Sequence, residues 1–236
     1  MTRTGTRTDR LLTFAFPDGI SIAPRRAGKI GALLRQAVMS RMPDPLPPEV
    51  SGHDADHLQH VAYLPLLDAG RPAATGQITG VGVSVPAGSP DLATLLRDVL
   101  RARNFHLRLS RTSLPLQEPA RNDPVLEPSR WTASSLRWST VTPIVFDRFP
   151  GRGGENAELA RACVHMGLPE PSRIATARDP FLPGAADLAR RDLARQEPRP
   201  RPYTHATIEF PIAVTGPLLL GAQRYLGMGL LKPTSA

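Results

Sequence analysis

The residues best suited to chemistry form a short polar segment, 52–60, with the sequence GHDADHLQH. It places His53, His57 and His60 at spacings of four and three, with Asp54 and Asp56 between the first two histidines. A carboxylate beside an imidazole raises the pKa of the ring and orients it, which favours a role in proton transfer. The same side chains are candidate metal ligands, although nearby prolines argue against the continuous helix that ligation at i and i+4 requires. A solvated polar loop leading into a strand is the third interpretation.

A second constellation is the glycine-rich segment near the C-terminus, where Gly221, Gly227 and Gly229 flank Arg224 and Tyr225. Glycines permit close approach of a backbone, and free backbone N–H groups hold phosphate. An arginine clamps a phosphate, and a tyrosine ring stacks on a base or donates a hydrogen bond. The spacing matches neither the dinucleotide-binding fingerprint nor the P-loop. A tight turn between terminal strands is therefore the alternative.

Positive charge dominates the composition. The chain carries 29 Lys and Arg residues against 21 Asp and Glu residues, a formal net charge of +8. Only Lys29 and Lys232 are lysines, which leaves 27 arginines, and the planar guanidinium suits phosphate groups. A GC-rich genome would also enrich arginine. Basic residues at Arg26 and Lys29, on the polar face of a predicted helix, and across 190–201 nevertheless favour a polyanionic partner, RNA or DNA first.

Several classes of protein are excluded by what the sequence lacks. The single cysteine, Cys163, excludes a disulfide framework and a cysteine-based zinc site. The N-terminus has no apolar core of a secretory signal. The longest uncharged stretches, 72–90 and 210–223, are broken by Pro and Gly, so neither is a membrane span. The expected location is the cytoplasm, with no membrane association.

The first half of the chain has alternating and helical apolar patterns that predict a β-α-β-β-α-β order, the ferredoxin-like unit. The predicted elements are a strand at 12–16, a helix at 30–38, strands at 60–64 and 81–85, a helix at 92–100 and a strand at 105–109.

The second half begins after a proline-rich linker at 112–130 and has weaker patterns. Its predicted elements are a strand at 141–146, helices at 155–166 and 184–197, an extended basic spacer at 198–202 and a strand at 206–212. Trp131, Trp138 and Cys163 are expected in the core. The fold class is α+β, with two ferredoxin-like units in tandem, the second degenerate, at 1–116 and 117–236.

Three separated motifs resemble those of one protein family. They read SGHDAD followed by HVAYLPL within 51–66, WSTVTPIVFDR at 138–148 and GPLLLGAQRYLGMGL at 216–230. The family is the fused backbone-and-processing subunit of type I-U (also called I-G) CRISPR systems, and the likeness is to its C-terminal, RNA-processing half. It covers roughly residues 10–232. The backbone half is then expected on a separate polypeptide, unless this chain is a fragment.

The resemblance implies a metal-independent endoribonuclease without a cofactor, built from two ferredoxin-like units of the repeat-associated mysterious protein (RAMP) superfamily. Such an enzyme cuts repeat RNA into guide RNAs when a ribose 2′-OH attacks the neighbouring phosphate, which leaves a 2′,3′-cyclic phosphate. This reaction needs a general base, a proton donor and positive charge on the phosphorane.

The resemblance also implies a role for each candidate residue. His53 transfers protons, with His57 and His60 as the next candidates and His60 expected to be structural. Arg224 clamps the phosphate, and the backbone at Gly221, Gly227 and Gly229 holds the RNA. Tyr225 belongs to the catalytic set, where it helps to bind the RNA or positions a catalytic group. The implied partners are repeat RNA, guide RNA and other subunits of a type I effector complex. A non-catalytic subunit that caps the guide-RNA hairpin is the alternative.

Overall fold

This computed structural model describes residues 10–52 and 60–234. The described part is an α+β structure in which neighbouring strands are antiparallel. The helices are α1 (Ala27–Met39), α2 (Pro48–Ser51), α3 (Pro90–Arg101), α4 (Ser129–Thr132) and α5 (Gly154–His165). The strands are β1 (Arg10–Ala15), β2 (Ala62–Leu67), β3 (Ile78–Val85), β4 (His106–Leu109), β5 (Thr112–Pro115), β6 (Ser134–Thr140), β7 (Ile144–Val145), β8 (Arg173–Ala177), β9 (Tyr203–Thr215), β10 (Leu218–Leu219) and β11 (Leu230–Thr234). No helix in these two ranges is long and apolar enough to cross a membrane.

The first sheet confirms most elements predicted for the first half. Its strands lie in the order β1-β3-β2, with Leu12 opposite Val83. The apolar stripe that predicted α1 is buried, and Ile30, Leu34 and Val38 are fully inaccessible. Every residue of β2 is buried, so both faces of this sheet are covered.

The predicted strand at 105–109 does not complete this sheet. As β4 it pairs with β5 in a hairpin closed at Ser110, whose φ of 58° lies in the left-handed region. Within the described residues, the outer edge of β1 meets only an isolated bridge from Ala15 to Gln117. The fourth strand therefore exists, but its partner lies in the segment expected to be a linker.

The second sheet is built around the long strand β9. β6 and β7 pair with one edge of β9 and β8 pairs with the other, while β11 lies on the outer side of β6. The spatial order is therefore β11-β6-β9-β8. The helix predicted at 155–166 is confirmed as α5, which precedes β8. The glycine-rich segment connects β9 to β11.

The weaker helix predicted for 184–197 is wrong. Only Arg190–Asp192 forms a 3-10 turn, and the residues on both sides are extended. Beyond this turn, the side-chain amide of Gln223 accepts from the backbone N–H of Arg195 at 3.0 Å and donates to its carbonyl at 3.1 Å. This tertiary contact occupies backbone groups that a helix would have paired internally.

The two tryptophans and the cysteine are core residues, as predicted. Trp131, Trp138 and Cys163 are completely buried. Burial raises the pKa of the Cys163 thiol to about 12, which leaves it protonated and unreactive at neutral pH. The indole N–H of Trp131 donates to the carbonyl of Val125 at 2.7 Å. The 112–130 segment is therefore packed against the protein rather than a free linker.

Two glycines one turn apart on α1 bring the second half of the chain to backbone distance from the first. A Cβ atom on Gly28 would overlap the backbone of Asp192 and Ala194, and one on Gly31 would overlap the carbonyl oxygen of Leu226. Only residues without a side chain permit this approach. The sequence analysis missed this pair, although two glycines at i and i+3 were visible.

The turn after Leu226 continues the contact onto β2. Gly227 has a φ of +79°, and a Cβ atom there would overlap the ring of Pro65. The halves consequently share one hydrophobic cluster. From the second half, this cluster includes Trp131, Val141, Leu193, Met228 and Leu230.

A further contact between the halves lies at the turn from β2 to β3. Asp68 accepts two hydrogen bonds of 2.7 Å from Arg71 and one of 2.9 Å from the backbone N–H of Thr75. Burial alone would raise the pKa of Asp68, but the bonds from Thr75 and Arg71 outweigh it and lower that pKa. Lys232 of β11 donates to the carbonyl of Ala69 at 2.7 Å and joins this turn to the second sheet.

His205 lies inside the second sheet and is only 1% exposed. Its Nε2 is 3.2 Å from the carbonyl oxygen of Ala186, and its Nδ1 is 2.9 Å from Oγ1 of Thr140. A carbonyl can only accept, so Nε2 carries the proton and Nδ1 accepts from the threonine. Burial lowers the pKa of His205 to about 4.

Replacing Gly31 with alanine should destabilise the protein. Alanine stabilises a helix by about 1 kcal/mol relative to glycine. Here the overlap of its Cβ atom with the carbonyl oxygen of Leu226 should outweigh that gain and lower the free energy of unfolding by at least ~2 kcal/mol. Chemical denaturation of Gly31→Ala and of Gln36→Ala, an exposed control on the same helix, measures this. A Gly31→Ala protein as stable as wild type would contradict the close approach.

The buried His205 should make the protein less stable in acid. His205 binds a proton near pH 6.5 in the unfolded chain and only near pH 4 in the folded chain. Its contribution to the free energy of unfolding is therefore fully present above about pH 6.5 and is lost as the pH falls toward 4. The total loss from this group is roughly 3 kcal/mol. The unfolding free energy measured from pH 7 to pH 4 should fall more steeply for wild type than for His205→Gln. Parallel curves would contradict this assignment.

Candidate nucleic-acid interface

The glycines of the C-terminal segment serve packing inside the protein. Cβ atoms on Gly221 and Gly229 would overlap the carbonyl oxygens of Val145 and Leu220. The N–H groups of Gly227 and Gly229 already donate, to the carbonyls of Arg224 at 3.1 Å and Pro143 at 2.9 Å. RNA binding at these glycines remains a prediction, but these two N–H groups are occupied in the structure.

The side chains of Arg224 and Tyr225 face outward from this packed segment. Both belong to the 3-10 turn Arg224–Leu226 and are partly exposed. The guanidinium carbon of Arg224 lies 4.6 Å from the centre of the Tyr225 ring, and Nη1 donates to the carbonyl of Gly221 at 2.9 Å. An ion pair with Asp147 is long, at 3.7 Å. Stacking and hydrogen bonding hold the arginine in place and leave it only weakly neutralised.

The histidine segment, residues 52–60, ends beside this turn. The ring of His60 meets that of Tyr225 edge to face, with centroids 4.9 Å apart and planes at 86°. The N–H of Val61 donates to the carbonyl of Glu49 at 2.9 Å, which fixes one end of the segment close to the other. A ring contact of this kind is consistent with the structural role predicted for His60.

The proton-transfer and metal hypotheses concern residues outside the described ranges. His53 and His57 lie there, as do Asp54 and Asp56, so their roles remain predictions. Within 10–52 and 60–234, no three His, Cys, Asp or Glu side chains are grouped as metal ligands would be.

The three basic features of the sequence lie around one junction. Gly28 of α1 faces 192–194, and Gln223, directly before Arg224, is bonded to Arg195. Exposed basic side chains therefore surround α1 and the two 3-10 turns packed on it, namely Arg25, Arg26, Lys29, Arg190, Arg191 and Arg195. Each basic stretch was visible in the sequence. The role of Gln223 was not, because nothing in the sequence marks a single glutamine as the buried amide that joins two basic segments.

Comparisons with known proteins agree with this architecture. Residues 152–233 match the model of a family described as "CRISPR-associated protein, GSU0054 family", which is about a third of the chain. A solved structure described as "An RAMP protein binding different RNA substrates" superimposes with a TM-score of 0.51 over 95% of this chain and 98% of that one, at 12% identity. The fold is similar to that of a RAMP protein.

A solved structure described as "Csf5, CRISPR-Cas type IV Cas6 crRNA endonuclease" covers 95% of this chain and 98% of its own, at 14% identity, with a TM-score of only 0.37. The search of the curated proteins found no match.

Proposed function

We propose that this protein is a CRISPR-associated endoribonuclease that binds repeat RNA and cuts it into guide RNAs without a metal ion or cofactor. The family match over 152–233 and the RAMP-like fold support this proposal. The similar RAMP structure is described as binding RNA substrates. We extend RNA binding to this chain because its exposed basic residues gather around α1 and the two 3-10 turns packed on it.

The observation that carries the proposal is the contact between His60 and Tyr225. It joins the end of the histidine segment to the Arg224–Tyr225 turn, two motifs that lie far apart in the sequence. A group for proton transfer and a group for phosphate binding must lie together in a ribonuclease site. The contact supports a common site for the two motifs.

In the proposed reaction, a ribose 2′-OH attacks the adjacent phosphate. His53 removes the proton from that hydroxyl or supplies one to the departing 5′ oxygen, with His57 as the alternative. Arg224 stabilises the negative charge that develops on the phosphorane, and Tyr225 positions the nucleotide. The new bond joins O2′ to phosphorus and the broken bond frees the 5′ oxygen, so no metal-activated water is required.

We further propose that the two sheets are tandem ferredoxin-like units, at 1–116 and 117–236. The order β11-β6-β9-β8 supports this for the second sheet, where the glycine-rich segment replaces a second helix. The proposed family is the type I-U (I-G) processing subunit, and the proposed partners are guide RNA and other subunits of a type I complex. The substrate is a cellular transcript, so the proposed location is the cytoplasm.

Removing the Arg224 guanidinium should weaken RNA binding. Arg224→Gln should lower affinity for the cognate repeat RNA about tenfold and reduce the slope of log affinity against log salt by nearly one, the effect of one lost phosphate contact. Arg108→Gln, an exposed residue on β4, is the charge-matched control and should change affinity little. Equal effects of the two variants, with both proteins folded by circular dichroism, would contradict the phosphate role.

Removing the His53 imidazole should abolish cleavage but not binding. Wild type incubated with repeat RNA in EDTA should give a 2′,3′-cyclic phosphate, and His53→Ala should be slower by at least about 100-fold. His106→Ala, a histidine on β4, is the control. Undiminished cleavage by His53→Ala would transfer the role to His57, which is tested in the same way. Tight binding without product from wild type would favour the hairpin-capping subunit instead.

A further inference from the structure

A cleft of about 350 Å³ opens between α5 and the turn that carries Arg224. Its walls carry charged side chains and an imidazole from both sides, namely Asp147, Arg148, Glu158, Arg161, His165 and Arg224. Glu158, Arg161 and His165 line it together because residues spaced by three and four share one face of a helix. The sequence analysis did not identify this cleft, although that spacing on α5 was visible.

A buried carboxylate holds two of the arginines at the cleft. Glu158 is only 8% exposed and accepts hydrogen bonds from Nε of Arg148 at 3.3 and 3.4 Å. It also forms an ion pair with Arg161, one helical turn later. One carboxylate cannot neutralise two guanidiniums, so this trio keeps a net positive charge. Because the arginines are already fixed, binding an anion would cost little side-chain entropy.

Arg224 brings a third guanidinium to the cleft. Its Nε is buried and has no hydrogen-bond partner among the residues that the structure describes. Its ion pair with Asp147 is long, at 3.7 Å. This long ion pair leaves most of the positive charge of Arg224 available to an anion in the cleft.

The cleft, at about 350 Å³, has room for more than a small inorganic ion. Ala162 and Met166 add apolar surface to the charged walls, and the volume belongs to the range of small-molecule pockets. The cleft also continues into the Arg224–Tyr225 turn, because Arg224 contributes to both. A nucleotide beside Tyr225 would place the next phosphate toward α5.

We infer that this cleft binds one phosphodiester group of the RNA strand, next to the nucleotide that contacts Tyr225. Arg148 and Arg161 donate to the phosphate oxygens, and His165 completes the rim. Arg224, which the proposed reaction assigns to the scissile phosphate, borders the subsite on the side of Tyr225. The inference rests on the proposed RNA-binding function and adds to it a phosphate subsite beside α5. The subsite recognises the backbone and not the bases, because its charged groups are donors suited to phosphate oxygens.

A neighbouring pair of residues allows a charge-matched test. His165 lines the cleft, whereas Val164 is 51% exposed and is not part of its lining. His165→Glu and Val164→Glu each add one negative charge at almost the same place, but only the first faces the proposed phosphate. Affinities for short oligouridine and oligoadenosine RNAs are measured by fluorescence anisotropy.

His165→Glu should weaken binding of both RNAs about tenfold, and Val164→Glu should change it by less than about twofold. Equal losses from the two variants would overturn the subsite, as would a loss confined to one RNA, since that would indicate base recognition. A wild-type protein that binds neither homopolymer nor the repeat RNA would overturn the proposed function itself, whereas binding of the repeat RNA alone would overturn only the subsite. A wild type that binds RNA while both variants bind equally well would overturn only the subsite.

A second variant decides the question if His165→Glu does not fold. Arg161→Gln leaves Glu158 paired with Arg148, so the buried carboxylate keeps a partner. This variant should lower the affinity for both RNAs several-fold. It should also reduce the slope of log affinity against log salt by about 0.7, the value for one phosphate contact to a single strand. An unchanged slope in a folded Arg161→Gln protein would overturn the subsite.

Discussion

The close approach of two backbones, at the contact between α1, β2 and the turn at 224–227, is the constraint on which the rest of the structure depends. Gly31 and Gly227 both lie against the carbonyl oxygen of Tyr63, and neither position has room for a side chain. Close packing without side chains makes such a contact specific, because any added atom must displace backbone. This contact, with that of Gly28 on 192–194, fixes how the two sheets meet.

The same contact explains why the glycine-rich segment offers side chains rather than its backbone. Its main chain is committed to the interior, where Gly221 and Gly229 touch neighbouring carbonyl groups. The segment can still present Arg224 and Tyr225, because the 3-10 turn lifts them out at the junction. A rigid backbone behind these two side chains means that a ligand would meet groups that are already oriented.

Around the cleft between α5 and the Arg224–Tyr225 turn, acidic residues position arginines without neutralising all of their positive charge. Glu158 serves two guanidiniums, and the Asp147 carboxylate stands at a long distance from Arg224. Burial keeps the Cys163 thiol protonated and His205 neutral at pH 7. The fold is a scaffold, and the side chains that it places on its surface decide the function.

The sequence by itself determined the elements whose apolar pattern is strong and local. The stripes of α1, α3 and α5 and the alternation in β1 and β3 predicted these elements because side-chain burial follows helix and strand periods directly. The basic stretches and the Arg224–Tyr225 motif were likewise visible.

Only the tertiary structure decided how these pieces meet. β4 pairs with its sequence neighbour β5 in a local hairpin instead of with the distant β1. Residues 190–192 form a short turn instead of a helix, because the hydrogen bonds between Arg195 and the distant Gln223 outweighed local propensity. The contact of His60 with Tyr225 and the cleft at Glu158 join residues far apart in the chain. No periodicity encodes such pairs, because each brings together elements that are separated in the sequence and meet only in the folded chain.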